Sequence, residues 1–304
     1  MKKSLIALAA LASTAAFAQS SVTLYGVADG GVAKVTGKSF GFAANQNGNS
    51  RWGLRGTEDL GGGLKAGFNF EQGLSIADGT LAQSGNGPFG RMAFMNLTGE
   101  FGELRLGRTL NPSFYAAAAW ELTGIANYGA AFGQFGGVLG GIRNNNQIAY
   151  TTPKMGGFTS TIGFIAKGND AGAAAGEQSK LDFNAVYANG PLVAALGYNK
   201  VQGEERNYHV GARYTLGTVL LAASYVDPAG KGKGFTAGAT VPVGTASLTL
   251  DLARDTDYKD TNVLAELKYP LSKRTFAYTY LLRDGKGKAA ANVNTVGLGM
   301  RHNF

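Results

Sequence analysis

Tight-turn signals recur at a nearly constant interval through the second half of this 304-residue chain. The markers Asn189, Gly217, Gly244 and Ser272 each sit in a turn-forming triplet, and they lie 28, 27 and 28 residues apart. Such an interval holds two strands of about 10 residues each, one tight turn and one modest loop, and strands of that length cross a bilayer when tilted. Further turn signals near 61–63, 101–102 and 155–157 bring the number to seven. Seven turns alternating with eight longer loops predict sixteen strands.

The last twelve residues, Val293 to Phe304, alternate in character with a period of two. Val296, Leu298, Met300 and Phe304 share an apolar face, whereas Gly297, Gly299, Arg301 and Asn303 share the other. A strand at the end of a chain needs a partner, and pairing it with the first strand would close the sheet. Closure leaves no unpaired backbone edge, which lipid does not tolerate. The predicted fold is therefore all-β, a 16-stranded antiparallel transmembrane β-barrel.

The N-terminus has the pattern of a cleavable export signal. Lys2 and Lys3 precede an apolar stretch from Leu5 to Phe17, and Ala16–Phe17–Ala18 supplies a small-x-small cleavage site. We expect a signal peptide at 1–18 and a mature barrel domain at 19–304. A retained anchor helix is the alternative, but the apolar stretch is shorter than the roughly 20 residues that a membrane span needs.

Composition is compatible with a membrane barrel and argues against a nucleic-acid-binding protein, a disulfide-bonded protein and a thiolate metal site. Glycine is frequent (47 residues), proline is scarce (7), and aromatic residues make up 11% of the chain; a soluble all-β sandwich would show similar averages. The formal net charge of +8 is dispersed along the chain, so we predict ions and small acidic solutes as partners and no nucleic acid. Cysteine is absent, which excludes disulfides and thiolate metal sites, and we expect no cofactor.

The interval between the turns at Gly102 and Gly156 is about twice as long as the other intervals between turns. The surplus forms a loop of about 35 residues at 111–145, which is too apolar for a segment exposed to water. We predict that this loop folds into the barrel and narrows it, and the candidate constriction residues within it are Phe132, Gln134, Phe135, Gly136 and Gly137. An external flap is the alternative.

Several stretches together resemble the Gram-negative general porins, in their β-proteobacterial branch. They are Ser21–Gly26, Ser50–Gly61, Gly102–Arg108 and Arg301–Phe304, and with the leader they cover the whole chain. The resemblance implies a cleaved signal, a sixteen-stranded barrel in the outer-membrane lipid, a homotrimer, and a third loop folded inward. It also implies that the terminal strand ending on Phe304 is an assembly signal for the barrel-assembly machinery.

The resemblance also implies that three arginines would take the places of the pore arginines in anion-selective porins: Arg51, Arg91 and Arg143. Arg51 is in phase with Arg55 and opposite Trp52, so it should face water; Arg143 is in phase with Gln147 and opposite Ile148. Arg91 shares its phase with apolar residues, and only a bulge or a strand that begins after it would turn it inward. Arg55 and Lys65 complete the predicted set of basic residues for ion selectivity.

The expected constriction has few acidic residues. Enteric porins carry Pro-Glu-Phe-Gly-Gly in the inward loop, whereas this chain has Gln134–Phe135–Gly136–Gly137 after Gly133, and Glu121 is the only acid in 111–145. Unbalanced positive charge in a narrow aqueous channel attracts anions. We therefore predict a passive diffusion channel for small hydrophilic solutes and ions that prefers anions.

Other functions have weaker support in the sequence. Within channels, a substrate-specific porin for small organic acids or phosphate is the alternative; outside them, it is a plugged surface or adhesin barrel. We expect no enzyme, because His209 and His302 are far apart, and His209 is interpreted as a polar group of the lumen. Four acids, Asp251, Asp255, Asp257 and Asp260, could bind calcium weakly, although simple solvation explains them; no metal site is predicted.

Overall fold

The computed structural model describes residues 21–81, 87–135, 141–168, 178–286 and 290–304. The expected signal peptide therefore lies outside the described residues, as do Gly136 and Gly137. Among the described residues, none of the helices combines the length and apolarity that a membrane-spanning helix requires.

Antiparallel strands joined to their sequence neighbours make up most of the described chain. Their bounds are β1 (Ser21–Val35), β2 (Gly41–Ala44), β3 (Arg51–Gly61), β4 (Leu64–Gly73), β5 (Met92–Gly99), β6 (Gly102–Leu110), β7 (Arg143–Thr151), β8 (Phe158–Ile165), β9 (Lys180–Asn189), β10 (Leu192–Val201), β11 (Arg206–Leu216), β12 (Val219–Asp227), β13 (Gly234–Val243), β14 (Ala246–Asp255), β15 (Asp260–Pro270), β16 (Thr275–Asp284) and β17 (Val293–Asn303). Sixteen of them form the barrel wall, as predicted. The additional strand, β2, is a four-residue segment in the first long connection that pairs with β1.

The sheet closes between its first and last strands. Strand β17 pairs with β1 from Val27↔Asn303 to Val35↔Thr295, and the main chains of Gly26 and Phe304 exchange hydrogen bonds of 2.9 and 3.0 Å. A Cβ at Gly26 would collide with the Phe304 ring and the Arg51 carbonyl, so glycine is what allows this close approach. The predicted closure is confirmed.

The alternation along each strand separates an apolar outer face from a polar inner face. On β14, Leu250 is 53% exposed, whereas the adjacent Thr249 and Asp251 are buried. On β17, Val296, Leu298 and Met300 are about half exposed between buried glycines. Exposed apolar and buried polar side chains reverse the pattern of a soluble protein, and they suit a wall with lipid outside and a wet interior.

All seven tight turns lie where the sequence predicted them, between β3 and β4, β5 and β6, β7 and β8, and at the four regularly spaced positions further on. The longest connection joins β6 to β7. It contains helices α1 (Pro112–Trp120) and α2 (Ala130–Phe135), with Pro112 in the first turn of α1. It is slightly shorter than predicted, because β7 already begins at Arg143 rather than after Asn145.

Candidate functional site

Helix α1 is fixed to the inward-facing side chains of the wall at its N-terminus. The backbone N–H of Ser113 donates to Oδ1 of Asp182 (2.7 Å), and Nδ2 of Asn184 donates to the carbonyl of Pro112 (2.7 Å). Nδ2 of Asn199 donates to the Ser113 hydroxyl at 3.1 Å. Asp182 thus satisfies a helix N–H that would otherwise be unpaired, and the three strand residues together attach the connection to the inside of the barrel.

His209 was interpreted as a polar group of the lumen, but it is covered by α1. Its Nε2 lies 3.0 Å from the Ser113 carbonyl, and its ring packs edge-on against Trp120, with the ring centroids 5.9 Å apart. It is 1% exposed. The strand alternation correctly placed His209 on the inner face of β11, but it gave no indication that α1 would cover this side chain.

The middle of the connection is held by Tyr128. Its hydroxyl donates to Oε2 of Glu266 on β15 (2.6 Å) and accepts from Nδ2 of Asn47 (2.5 Å). Its ring stacks on Tyr280 of β16 with the centroids 3.8 Å apart. Burial and the neighbouring carboxylate raise the pKa of Tyr128, so the hydroxyl remains protonated and keeps donating.

Glu121, predicted as the acid of the constriction, does not line the cavity. It is 4% exposed, and its two carboxylate oxygens accept 2.6 Å hydrogen bonds from the Thr123 hydroxyl and from the backbone N–H of Ile125. Ile125 has φ +60°, a left-handed conformation that is rare for a β-branched residue. The carboxylate therefore holds the turn that presents Ile125 to the lumen.

The predicted arginines Arg51, Arg91 and Arg143 do come together. Glu71 on β4 bridges two of them: Nε of Arg51 lies 3.3 Å from Oε2, and Nε of Arg91 lies 2.7 Å from Oε1. Nε of Arg143 donates to the backbone carbonyl of Arg91 at 2.6 Å. Nη1 of Arg91 is buried and has no hydrogen-bond partner among the described residues.

The structure also explains how two of these arginines reach the cluster. Strand β5 begins at Met92, so Arg91 precedes the alternation and can turn inward to Glu71, which is one of the two solutions that the sequence left open. Between Arg143 and Gln147 the register shifts: Gly107 pairs with Gln147, but Thr109 pairs with Asn144. The phase that linked Arg143 to Gln147 is therefore interrupted, and Arg143 faces the cluster from the first position of β7.

These arginines form one side of a cavity of about 410 Å³ between the wall and the inward connection. A fourth arginine on the same cavity, Arg301 of β17, was absent from the predicted set; its Nη1 donates to the carbonyl of Asn47 at 2.8 Å. Its phase with Gly299 placed it on the inner face, but no local signal linked it to Arg51. The apolar part of its lining consists of Leu110, Phe114, Ile125, Phe132 and Ile142, and Leu110 pairs with Arg143 between strands β6 and β7. Among its described lining residues, none is acidic.

Other predicted residues lie elsewhere. The guanidinium of Arg55 lies over the Tyr25 ring, 5.2 Å from its centroid, and Lys65 is exposed near the β3–β4 turn, opposite Asp59. Phe135 is buried beside Gly234, and neither it nor Gln134 lines the cavity.

Two further features complete the interior. A second cavity of about 350 Å³ is lined by Tyr115 of α1 and by the Glu103–Arg105 ion pair. The described residues hold no cluster of three His, Asp or Glu side chains suited to a metal ion. Asp255, one of the four acids considered for calcium, accepts hydrogen bonds from the N–H groups of Asp257 and Tyr258 instead.

A family model described as Gram-negative porin matches residues 4–304. The outer membrane porin protein 32 of Delftia acidovorans is 42% identical over 210 residues, which cover 65% of this chain and 59% of the relative. An outer membrane porin protein of Bordetella pertussis is 37% identical over 246 residues, covering 67% of this chain and 62% of the relative. The matches span about three fifths of the length of these curated relatives.

Among solved structures, the anion-selective porin from Comamonas acidovorans matches with a TM-score of 0.74 and 30% identity over 94% of this chain and all of that one. A loop-deletion mutant of OmpT from Vibrio cholerae matches with a TM-score of 0.70 at 15% identity, covering 94% of this chain and 99% of that one, which is a likeness of fold alone.

Proposed function

This chain belongs to the Gram-negative porin family, and on that premise we propose that it is an outer-membrane channel through which small hydrophilic solutes and ions diffuse passively, with a preference for anions. The family and the fold are those of channels, so the chain is not an enzyme. The closed barrel with its apolar outer face is suited to the outer membrane.

The observation that carries the anion preference is the charge balance of the larger cavity. Arg51, Arg91, Arg143 and Arg301 line it, and the carboxylate bonded to this cluster is Glu71, which is 3% exposed behind the guanidinium groups. Low-dielectric walls concentrate the field of fixed charges in a narrow channel. A hydrated anion is therefore stabilised where a cation is repelled.

The inward connection supplies the second part of the proposal, the size limit. Helix α1 is bonded to Asp182 and Asn184, and Tyr128 is bonded to Glu266, so the connection is held to the wall near its start and at its middle. Solutes must pass between this connection and the arginines. A cavity remains between them, which favours a channel over a plugged surface or adhesin barrel.

The remaining parts rest on family resemblance. We include a signal peptide at 1–18 that is cleaved on export, assembly as a homotrimer, and recognition of the strand ending on Phe304 by the barrel-assembly machinery. A porin specific for small organic acids or phosphate is the second candidate, because four arginines around one cavity could also bind a particular anion.

The test is the reversal potential of the reconstituted protein in a planar bilayer under a KCl gradient. We expect chloride to be preferred, and we expect Arg51→Ala and Arg143→Ala each to lower the chloride-to-potassium permeability ratio. Arg55→Ala is the matched control, because Arg55 lies on the same strand as Arg51 but outside the cavity. Potassium preference in the wild type, or equal effects of all three variants, would contradict the proposal. Saturable block of the current by one anion would favour the second candidate.

A further inference from the structure

Besides the arginines, the larger cavity has an apolar wall, which is unusual for a surface in contact with water. Phe114, Phe132, Ile125, Leu110 and Ile142 all line the larger cavity and are all partly exposed. The rings of Phe114 and Phe132 meet edge to face with their centroids 6.4 Å apart. Apolar side chains on an aqueous passage lose the free energy that burial would provide, about 25 cal/mol per Å².

Most of this apolar wall, including Phe114, Ile125 and Phe132, belongs to the inward connection, whereas Leu110 is the last residue of β6. Ile125 lines the cavity with its backbone at φ +60°, and the Glu121 carboxylate supports that conformation through the Ile125 N–H. Phe114 projects from α1, whose first turn is bonded to the wall. Strain held by a dedicated hydrogen bond at a channel lining points to a role in contact with the solute.

The two walls together match one chemical class of solute. The guanidinium groups of Arg51 and Arg143 present donors suited to a carboxylate. The rings of Phe114 and Phe132, with Ile125, present a surface suited to an apolar or aromatic group. An ion that is polar all over can use only the first wall.

We propose that this cavity is a subsite for monovalent carboxylates with an apolar body, such as aromatic carboxylates, which place the carboxylate on the arginines and the apolar body on the loop. This inference rests on the proposed function, because it presupposes that anions enter the channel. It assigns to the channel a preference among anions that charge alone does not provide.

The experiment compares two monocarboxylates in the full-length reconstituted channel. Benzoate has an apolar ring and gluconate is hydroxylated along its length, and both are added at a pH well above their pKa values during recording of the chloride current. Contact of part of the benzoate ring with the apolar wall should lower its half-blocking concentration about tenfold relative to gluconate.

Two variants remove the apolar wall in different ways. Phe132→Gln replaces a ring on α2, and Ile125→Asn replaces the strained residue with one that tolerates a left-handed backbone, so the turn should be retained. Each should reduce the advantage of benzoate several-fold. Tyr115→Gln is the control, because Tyr115 is on α1 but lines the second cavity. Its half-blocking concentrations should equal those of the wild type.

The outcomes separate the inference from its premise. Chloride preference with equal block by benzoate and gluconate, or a benzoate advantage that survives both wall variants, overturns the subsite and leaves the anion channel intact. Potassium preference in the wild type overturns the proposed function itself. A benzoate advantage that Phe132→Gln or Ile125→Asn lowers and Tyr115→Gln preserves supports the subsite.

Discussion

The hydroxyl of Tyr128 donates a 2.6 Å hydrogen bond to Oε2 of Glu266, joining the inward connection to strand β15 across 138 positions of sequence. Glu266 is 1% exposed and also lies 3.0 Å from Nζ of Lys268, whose ammonium group donates to the Thr123 carbonyl. Two side chains of β15, Glu266 and Lys268, thus form hydrogen bonds with the connection at Tyr128 and Thr123. The position of the connection depends on this contact.

Removing that hydroxyl should loosen the connection without unfolding the barrel. Tyr128→Phe leaves the buried Glu266 and Asn47 each short of one partner, at a cost of about 1–3 kcal/mol. We expect more frequent brief closures and greater current noise in single-channel recordings. Tyr214→Phe, on the outer face, should record like the wild type. Equal noise in Tyr128→Phe and the wild type would show that this hydrogen bond does not hold the connection.

Glu121 should behave as a positioning residue and not as a pore charge. Glu121→Gln leaves one acceptor oxygen for the two donors, Thr123 and Ile125, so the turn should become mobile while the chloride-to-potassium permeability ratio changes little. Thr123→Ala, which removes one of these donors, should raise the current noise in the same way. A clear rise in anion preference in Glu121→Gln, with Thr123→Ala unchanged, would show that the carboxylate acts on permeating ions.

Glu71 should be the residue that limits anion preference. Glu71→Gln removes the carboxylate shared by Arg51 and Arg91, so the unbalanced positive charge at the cavity grows by one. We expect the chloride-to-potassium permeability ratio in a KCl gradient to rise at least about twofold. Glu103→Gln is the control, since Glu103 pairs with Arg105 at the second cavity. The prediction fails if the two variants shift the ratio equally or if Glu71→Gln lowers it.

Closure of the barrel should be sensitive to a single methyl group at Gly26. Gly26→Ala forces a Cβ against the Phe304 ring and the Arg51 carbonyl, and such overpacking costs about 1–3 kcal/mol. We expect a lower yield of folded barrel, measured by the mobility of unheated and heated samples on electrophoresis. Gly41→Ala is the matched control, because Gly41 is a strand glycine with open space around it. Equal yields of folded barrel for both variants would show that closure does not require glycine at position 26.

Local patterns were sufficient for the wall of the barrel but not for the details of its lining. The alternation around Leu250 and Leu298 placed each strand face correctly, because side-chain direction in a strand changes with every residue. The same rule could not predict which face Arg91 takes, because Arg91 lies one residue before its strand. It also does not extend to Arg143, because the register shifts between Arg143 and the rest of β7. Irregularities of one residue are decided by neighbouring strands, and a single strand does not reveal them.

The sequence by itself determined a closed sheet of sixteen wall strands, its two faces, its turns and the long connection, since each follows from period-two patterning and turn-forming residues near one another in the chain. Only the tertiary structure decided what that connection does. It buried Glu121 and His209 and placed Phe132 on the same cavity as the arginines. These residues are distant in sequence, and their meeting depends on how the connection packs against strands that it does not adjoin along the chain.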